Sequence, residues 1–190
     1  MGQGSGLSLG REKVRAEASA SGEIWPGHRA APEPDLWAIV LAGGDGVRLR
    51  DLAGKIAYPG CPKQYAVLYE GRCLLRHTLE RAELLTSPER ITTVVSTAHH
   101  REVEIHLVDR PPETVLAQPT NLGTGVGVLL GLTWIVGRAP AATVVILPSD
   151  HFVRETGLFV EHIRLAERAI DRFPETVVLP AAATRSRWCW

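Results

Sequence analysis

Four short stretches of this chain carry residues able to do chemistry. The first, Gly43-Gly44-Asp45-Gly46, follows directly on an apolar run and is trailed by Arg48. Glycines admit positive φ and bring backbone close to a ligand without a Cβ in the way, and the N–H groups so exposed form a nest for an anion. Arg48 adds a forked, charge-assisted contact for phosphate oxygens, of a kind that contributes about 1.5–3 kcal/mol. The second is Pro62-Lys63-Gln64, where Lys63 is a mobile point charge able to follow oxygens whose charge rises during a transfer. The third runs Gln118-Pro119-Thr120-Asn121-Leu122-Gly123-Thr124. It offers an amide that donates and accepts on a base edge at once, next to the free N–H groups of a helix start. The fourth, Pro148-Ser149-Asp150-His151, places a carboxylate just past an apolar run. Asp150 suits Mg²⁺, a hard cation that takes carboxylate and phosphate oxygens and keeps several waters. This chemistry belongs to a polyphosphate, and a nucleotide-handling enzyme is the leading reading.

Two familiar phosphate loops fail on spacing. A dinucleotide fingerprint needs a third small residue where Leu49 stands, and a Walker A loop needs Ser or Thr where Gly54-Lys55 is followed by Ile56. Ser149-Asp150-His151 is not a catalytic triad, because triads are assembled across a fold rather than along the chain. His151 reads as a packing residue or a support for Asp150. His99, His100 and His106 read as a solvated helix face rather than a metal cluster.

Elements must bring these stretches to one place. Leu36–Ala42 is a continuous apolar run, as in a strand buried on both faces of a parallel sheet. Helical spacing follows over Cys73–Leu85, a β-branched strand over Ile91–Ser96, a short helix over His99–Leu107 and a short strand over Thr114–Ala117. Thr124–Val136 reads as a buried helix and Thr143–Leu147 as a strand. Leu158–Phe173 reads as an amphipathic helix with Phe159, Ile163, Ala166 and Ile170 along one side, and Thr176–Leu179 as a last strand. Alternation of strand and helix predicts an α/β, Rossmann-like three-layer domain, its mainly parallel sheet flanked by helices. In such sheets ligands bind beyond the carboxyl ends of the strands, where the motifs fall.

Composition narrows the class. The 190 residues suffice for one domain with a core, at 45% hydrophobic and 22% charged. Acids and bases balance at 21 each, which argues against a nucleic-acid partner. Cys61, Cys73 and Cys189 suggest neither a disulfide framework nor zinc, and a reducing compartment fits. No apolar stretch reaches the roughly 18–20 residues of a membrane span, and no secretory signal is apparent, so no membrane partner and a cytoplasmic location are expected. Residues 1–34, rich in Gly, Ser, Ala, Pro and charge, read as a disordered leader, 35–180 as the folded domain and 181–190 as an irregular tail. Oligomeric state stays open, a homo-oligomer included.

The motifs, in this order, resemble those of the sugar-phosphate nucleotidyltransferases, in particular the mannose-1-phosphate guanylyltransferase branch: a strand, then L-A-G-G-x-G-x-R-L, P-K-Q, Q-P and P-S-D-H. The resemblance implies joining of a nucleoside triphosphate to a sugar 1-phosphate with release of pyrophosphate, GTP and mannose 1-phosphate being the leading pair. It implies that Leu41, Ala42, Gly43 and Gly44 lie along base and ribose, and that Gly46, Arg48 and Lys63 hold the triphosphate. Arg48 and Lys63 would serve catalysis, Gln118, Gly123 and Thr124 the base, and Asp150 the Mg²⁺ cofactor. Gly123-Thr124-Gly125 departs from the Asn-Thr-Ala common in the guanylyltransferase branch, so the base stays open. An isoprenoid-type cytidylyltransferase shares the glycine turn and Pro-Lys-Gln-Tyr, but has Asp-Ala-Ala-Arg where this chain has Ser149-Asp150-His151. The family normally continues well beyond this length, so the expectation is a truncated or frame-altered product that keeps a nucleotide pocket, a non-catalytic remnant being the alternative to an enzyme.

Overall fold

A computed structural model describes residues 35–46 and 50–180. The expectations for the 1–34 leader, for Arg48 and for the 181–190 tail lie outside the described residues. In chain order the elements are β1 (Leu36–Leu41), α1 (Arg50–Ile56), β2 (Val67–Tyr69), β3 (Arg72–Cys73), α2 (Leu74–Glu83), β4 (Ile91–Ser96), α3 (His100–His106), β5 (Val115–Gln118), α4 (Thr124–Val136), β6 (Thr143–Pro148) and α5 (Thr156–Arg172).

Four of the strands form one parallel sheet in the order β5-β4-β1-β6. β1 is central, with Val40 registered against Thr93 of β4 and Leu147 of β6. Its uninterrupted apolar sequence follows from that position. Ala38 and Val40 pack with Leu75 and Leu79 of α2 on one face. Ile39 packs with Ile135 of α4 on the other, flanked by Trp37 and Leu41. Each Val, Leu or Ile side chain so buried contributes roughly 1.5–3 kcal/mol. α5 lies on the α2 side, where Ile163 meets Leu36 and Leu85. The α/β three-layer arrangement expected from the alternation is therefore observed.

Two glycines decide how close α4 comes. A Cβ on Gly131 would sit 2.8–3.0 Å from the Ile39 side chain, and one on Gly127 would sit 3.5 Å from Leu41 Cδ2. Four residues apart, they form a flat strip that lets helix backbone rest on β1. α4 is not the buried helix its composition suggests. Gly127, Gly131 and Ile135 are buried, whereas Val126, Leu129 and Val136 are exposed, since no described element covers the outer face.

Thr176–Leu179 is not a strand either, with Val177 and Leu179 each 84% exposed. β-branched composition makes a strand only where a ladder partner accepts its backbone groups. β5 starts one residue later than expected because Thr114 closes a 3-10 turn, Pro112–Thr114. α1 and the β2–β3 hairpin are not among the elements expected from the sequence pattern. Glu70 and Gly71, at φ 48° and 69°, make the hairpin's two-residue turn, whose twist matches the paired strands.

α2 is tied to the chain after α3 by ion pairs. Arg76 grips Asp109 at 2.8 and 3.0 Å, and Arg110 pairs with Glu83. The Arg76 fork holds the Asp109 carboxyl down at about 2 against an ordinary 3.8. A carboxyl depressed in the fold stabilises it fully above the unfolded value and loses that contribution as pH falls through the folded one. Asp109→Asn should therefore lower the urea midpoint relative to the parent above about pH 4, and the gap should close near pH 2. A gap unchanged down to pH 2 would assign the effect to something other than this carboxylate. No helix among the described residues is long and apolar enough to cross a membrane.

Candidate active site

Parallel strands send their carboxyl ends to one edge, and the chain leaves β1 toward β4 but reaches β6 on β1's other side. Loops diverging at that switch open a crevice. There the structure holds a cleft of about 520 Å³. Short ladder extensions fix its walls: Ala42 N donates to Val94 O at 2.7 Å and Ser149 N to Leu41 O at 3.1 Å. Asp150 is thereby set beside the glycine turn rather than out in solvent.

Leu41, Gly43, Gly44, Gly46, Lys63, Gln118, Gly123, Thr124 and Asp150 all line this one cleft, though they span more than half of the sequence. Ala42 does not. It is buried in the α2-side core and takes part through its carbonyl. Gly46 has φ +61°, and a Cβ there would meet Lys63 N at 3.0 Å, so the turn and the lysine are packed backbone to backbone. Lys63 Nζ forms an ion pair with Asp150 Oδ2, both side chains partly exposed to the cleft.

Gln118 is 4% exposed at the opposite wall. Its Oε1 lies 3.2 Å from where a Gly43 Cβ would be, and its Nε2 has no partner among the described residues. A buried donor without a partner costs stability, and in native structures it calls for an explanation such as a ligand or water.

Gln64 and Asn121, each inside a motif, have roles that the motifs alone do not assign. Gln64, 2% exposed, donates through Nε2 to Ala42 O at 2.8 Å and Gly44 O at 2.9 Å, pinning the glycine turn from behind. Asn121 donates to Asp45 Oδ2 at 2.9 Å and accepts from Gly123 N at 3.0 Å, joining the glycine turn to the start of α4. Their amides beside glycine turns were the available signal.

The histidines fall differently from the expected solvated face. His99 is buried, edge-on to Tyr65 at 5.5 Å and 4.0 Å from Asp45, and burial pushes its pKa down, so it is neutral at pH 7. His106 stacks on Tyr65 at 5.6 Å, and His100 is the exposed one. Among the described residues no three His, Cys, Asp or Glu side chains group as a metal site. His151 is exposed with its ring 4.0 Å from Asp150, too far for a hydrogen bond, so it neither packs nor firmly supports the acid.

A parallel sheet with a polar cleft at its switch point has recognisable relatives. The alginate biosynthesis protein AlgA of Pseudomonas aeruginosa is 25% identical over 150 residues, covering 77% of this chain and 30% of that protein. Mannose-1-phosphate guanylyltransferase of Escherichia coli is 22% identical over 139 residues, covering 72% and 28%. The bifunctional protein GlmU of Streptomyces coelicolor is 32% identical over 109 residues, covering 57% and 20%. The crystal structure of mannose-1-phosphate geranyltransferase from Thermus thermophilus superposes with a TM-score of 0.61 at 28% identity, over 72% of this chain and 38% of that one. The chain thus spans about three-tenths or less of the length of these curated relatives. Residues 37–183 match the model of the nucleotidyl transferase family, and it is to this family that the chain belongs.

Proposed function

We propose that the cleft binds a nucleoside triphosphate and passes its nucleoside monophosphate unit to a sugar 1-phosphate, with GTP and mannose 1-phosphate as the substrate pair. The observation that carries the reading is the convergence of the glycine turn, Lys63 and Asp150 on one cleft at the sheet's switch point. The names of the AlgA and guanylyltransferase relatives favour the sugar phosphate over other acceptors.

In the proposed reaction an oxygen of the sugar phosphate attacks the α-phosphorus, a new P–O bond forms, and the bond to the β-phosphate oxygen breaks, its electron pair leaving with pyrophosphate. The attacking phosphate is already an anion near pH 7, so no general base is needed. The protein's task is to hold two polyanions in line and offset their repulsion, which is placement plus electrostatics. Glycine-turn N–H groups and Lys63 receive phosphate oxygens, and the unpartnered Gln118 amide faces the base.

One cleft carboxylate suits Mg²⁺, which takes few protein ligands and fills its shell with phosphate oxygens and water. Asp150 is the residue to hold it. When bound, the ion would neutralise charge on the phosphates. Lys63 and Asp150 neutralise each other while the cleft is free of ligand, and each has a new counter-charge in the complex, phosphate for the lysine and the ion for the acid.

Calorimetry with GTP, CTP, UTP and ATP in Mg²⁺, run beside a pyrophosphate-release assay with mannose 1-phosphate, tests this. Tightest binding of GTP together with release dependent on the sugar phosphate is expected. Preference for CTP would favour a cytidylyltransferase. Binding without release would favour a nucleotide-binding module, and no binding of any triphosphate would end the reading.

A further inference from the structure

Arg81 sits near the end of α2 and is 6% exposed, yet no carboxylate among the described residues pairs with it. Its Nη2 donates to Thr78 Oγ1 at 2.7 Å and to the backbone carbonyl of His151 at 3.1 Å, and its guanidinium lies 5.9 Å from the Phe159 ring centroid. Thr78 in turn donates to Leu74 O at 3.0 Å, so the hydroxyl facing Arg81 is fixed as an acceptor. A guanidinium desolvated for two neutral acceptors is a costly way to fill a core, and an apolar side chain of like size would fill it more cheaply. What the charge gains is a grip on one backbone carbonyl, and that carbonyl belongs to the residue after Asp150.

The loop is thus held on both sides of the acid. Ser149 N is bonded to Leu41 O before it and His151 O to Arg81 after it, while the exposed His151 side chain adds little. We propose that Arg81 is a positioning residue that fixes the Asp150 carboxylate for the metal ion, acting through the His151 carbonyl. The inference rests on the reading of Asp150 given above. It concerns metal-dependent weakening alone, because Arg81 does not line the cleft and, among the described residues, touches none of its phosphate-facing groups.

The test compares the parent chain with Arg81→Met and Arg81→Lys by hydrogen exchange and by GTP binding with Mg²⁺ or with EDTA. In Arg81→Met, amides of residues 149–152 should exchange about tenfold faster. GTP should bind about tenfold more weakly in Mg²⁺ and no more weakly in EDTA, the usual scale for removing an outer support of a metal ligand. Arg81→Lys, which keeps a donor and a charge, should recover most of both. Equal weakening with and without the ion, or unaltered exchange in a folded variant, overturns the proposal. Should Arg81→Met lose its cooperative melt, Thr78→Val removes the hydroxyl that steadies the guanidinium, and unaltered Mg²⁺-dependent binding there overturns it too. If the parent itself binds no nucleotide, the reading of the cleft fails, and the exchange comparison still decides whether Arg81 holds the loop.

Discussion

Asp150→Asn should abolish the stimulation of GTP binding by Mg²⁺ while raising affinity in its absence. Asparagine keeps the shape of the side chain and removes its charge, so the two arms separate the acid's two effects. Without the ion, Asp150 neutralises Lys63 and opposes incoming phosphate. Its loss frees the lysine, and a few-fold tighter binding in EDTA follows from the Coulomb term in a partly exposed cleft. With the ion, the only carboxylate that lines the cleft among the described residues is gone. Metal-ion stabilisation is worth several kcal/mol, so any turnover should fall by about 100-fold or more. Titrations at several Mg²⁺ concentrations check both signs. Mg²⁺ stimulation as strong as the parent's would remove Asp150 from the metal's surroundings.

Gln64→Leu should produce the largest loss of stability among single changes at the site. The leucine fills a comparable space but donates nothing to Ala42 O and Gly44 O, now held at 2.8 and 2.9 Å. Ala42 is buried, so its carbonyl loses this donor with no water to replace it, whereas exposed Gly44 regains water. The cost is about 1–3 kcal/mol, which lowers Tm by roughly 2–12 °C for a chain of this size. The glycine turn loses its support from behind, so GTP affinity should drop about tenfold in the fraction that stays folded. Gln64→Glu should be worse, because its carboxylate would set charge against the same two carbonyl oxygens. Calorimetric melts and titrations of the three proteins decide it. A leucine variant with unchanged Tm would mean that the turn holds itself.

Sequence patterning carried the sheet well. β1 was legible because a strand buried on both faces must be apolar throughout, β4 because its run is β-branched, and α4 because its bounds follow the glycine and valine run into Gly137. Patterning failed where neighbours decide the outcome. Thr176–Leu179 has strand composition and no ladder, and α4 has core composition and one uncovered face. His99 and His106 looked like a polar helix face, yet both lie against Tyr65, and pairings across the fold leave no trace in local spacing.

By itself the sequence determined which side chains and turns were available: backbone that could reach φ +61° at Gly46, a lysine and an acid placed just beyond apolar runs, and the alternation that lines strand ends along one edge. Only the tertiary structure decided that Lys63 meets Asp150, that Gln64 braces the turn and that Arg81 reaches the carbonyl of His151. The reason is physical. Propensity and periodicity act over a few residues, whereas a hydrogen bond or an ion pair between residues 20 to 87 positions apart exists only once the sheet's register and its packed helices have fixed where each backbone runs.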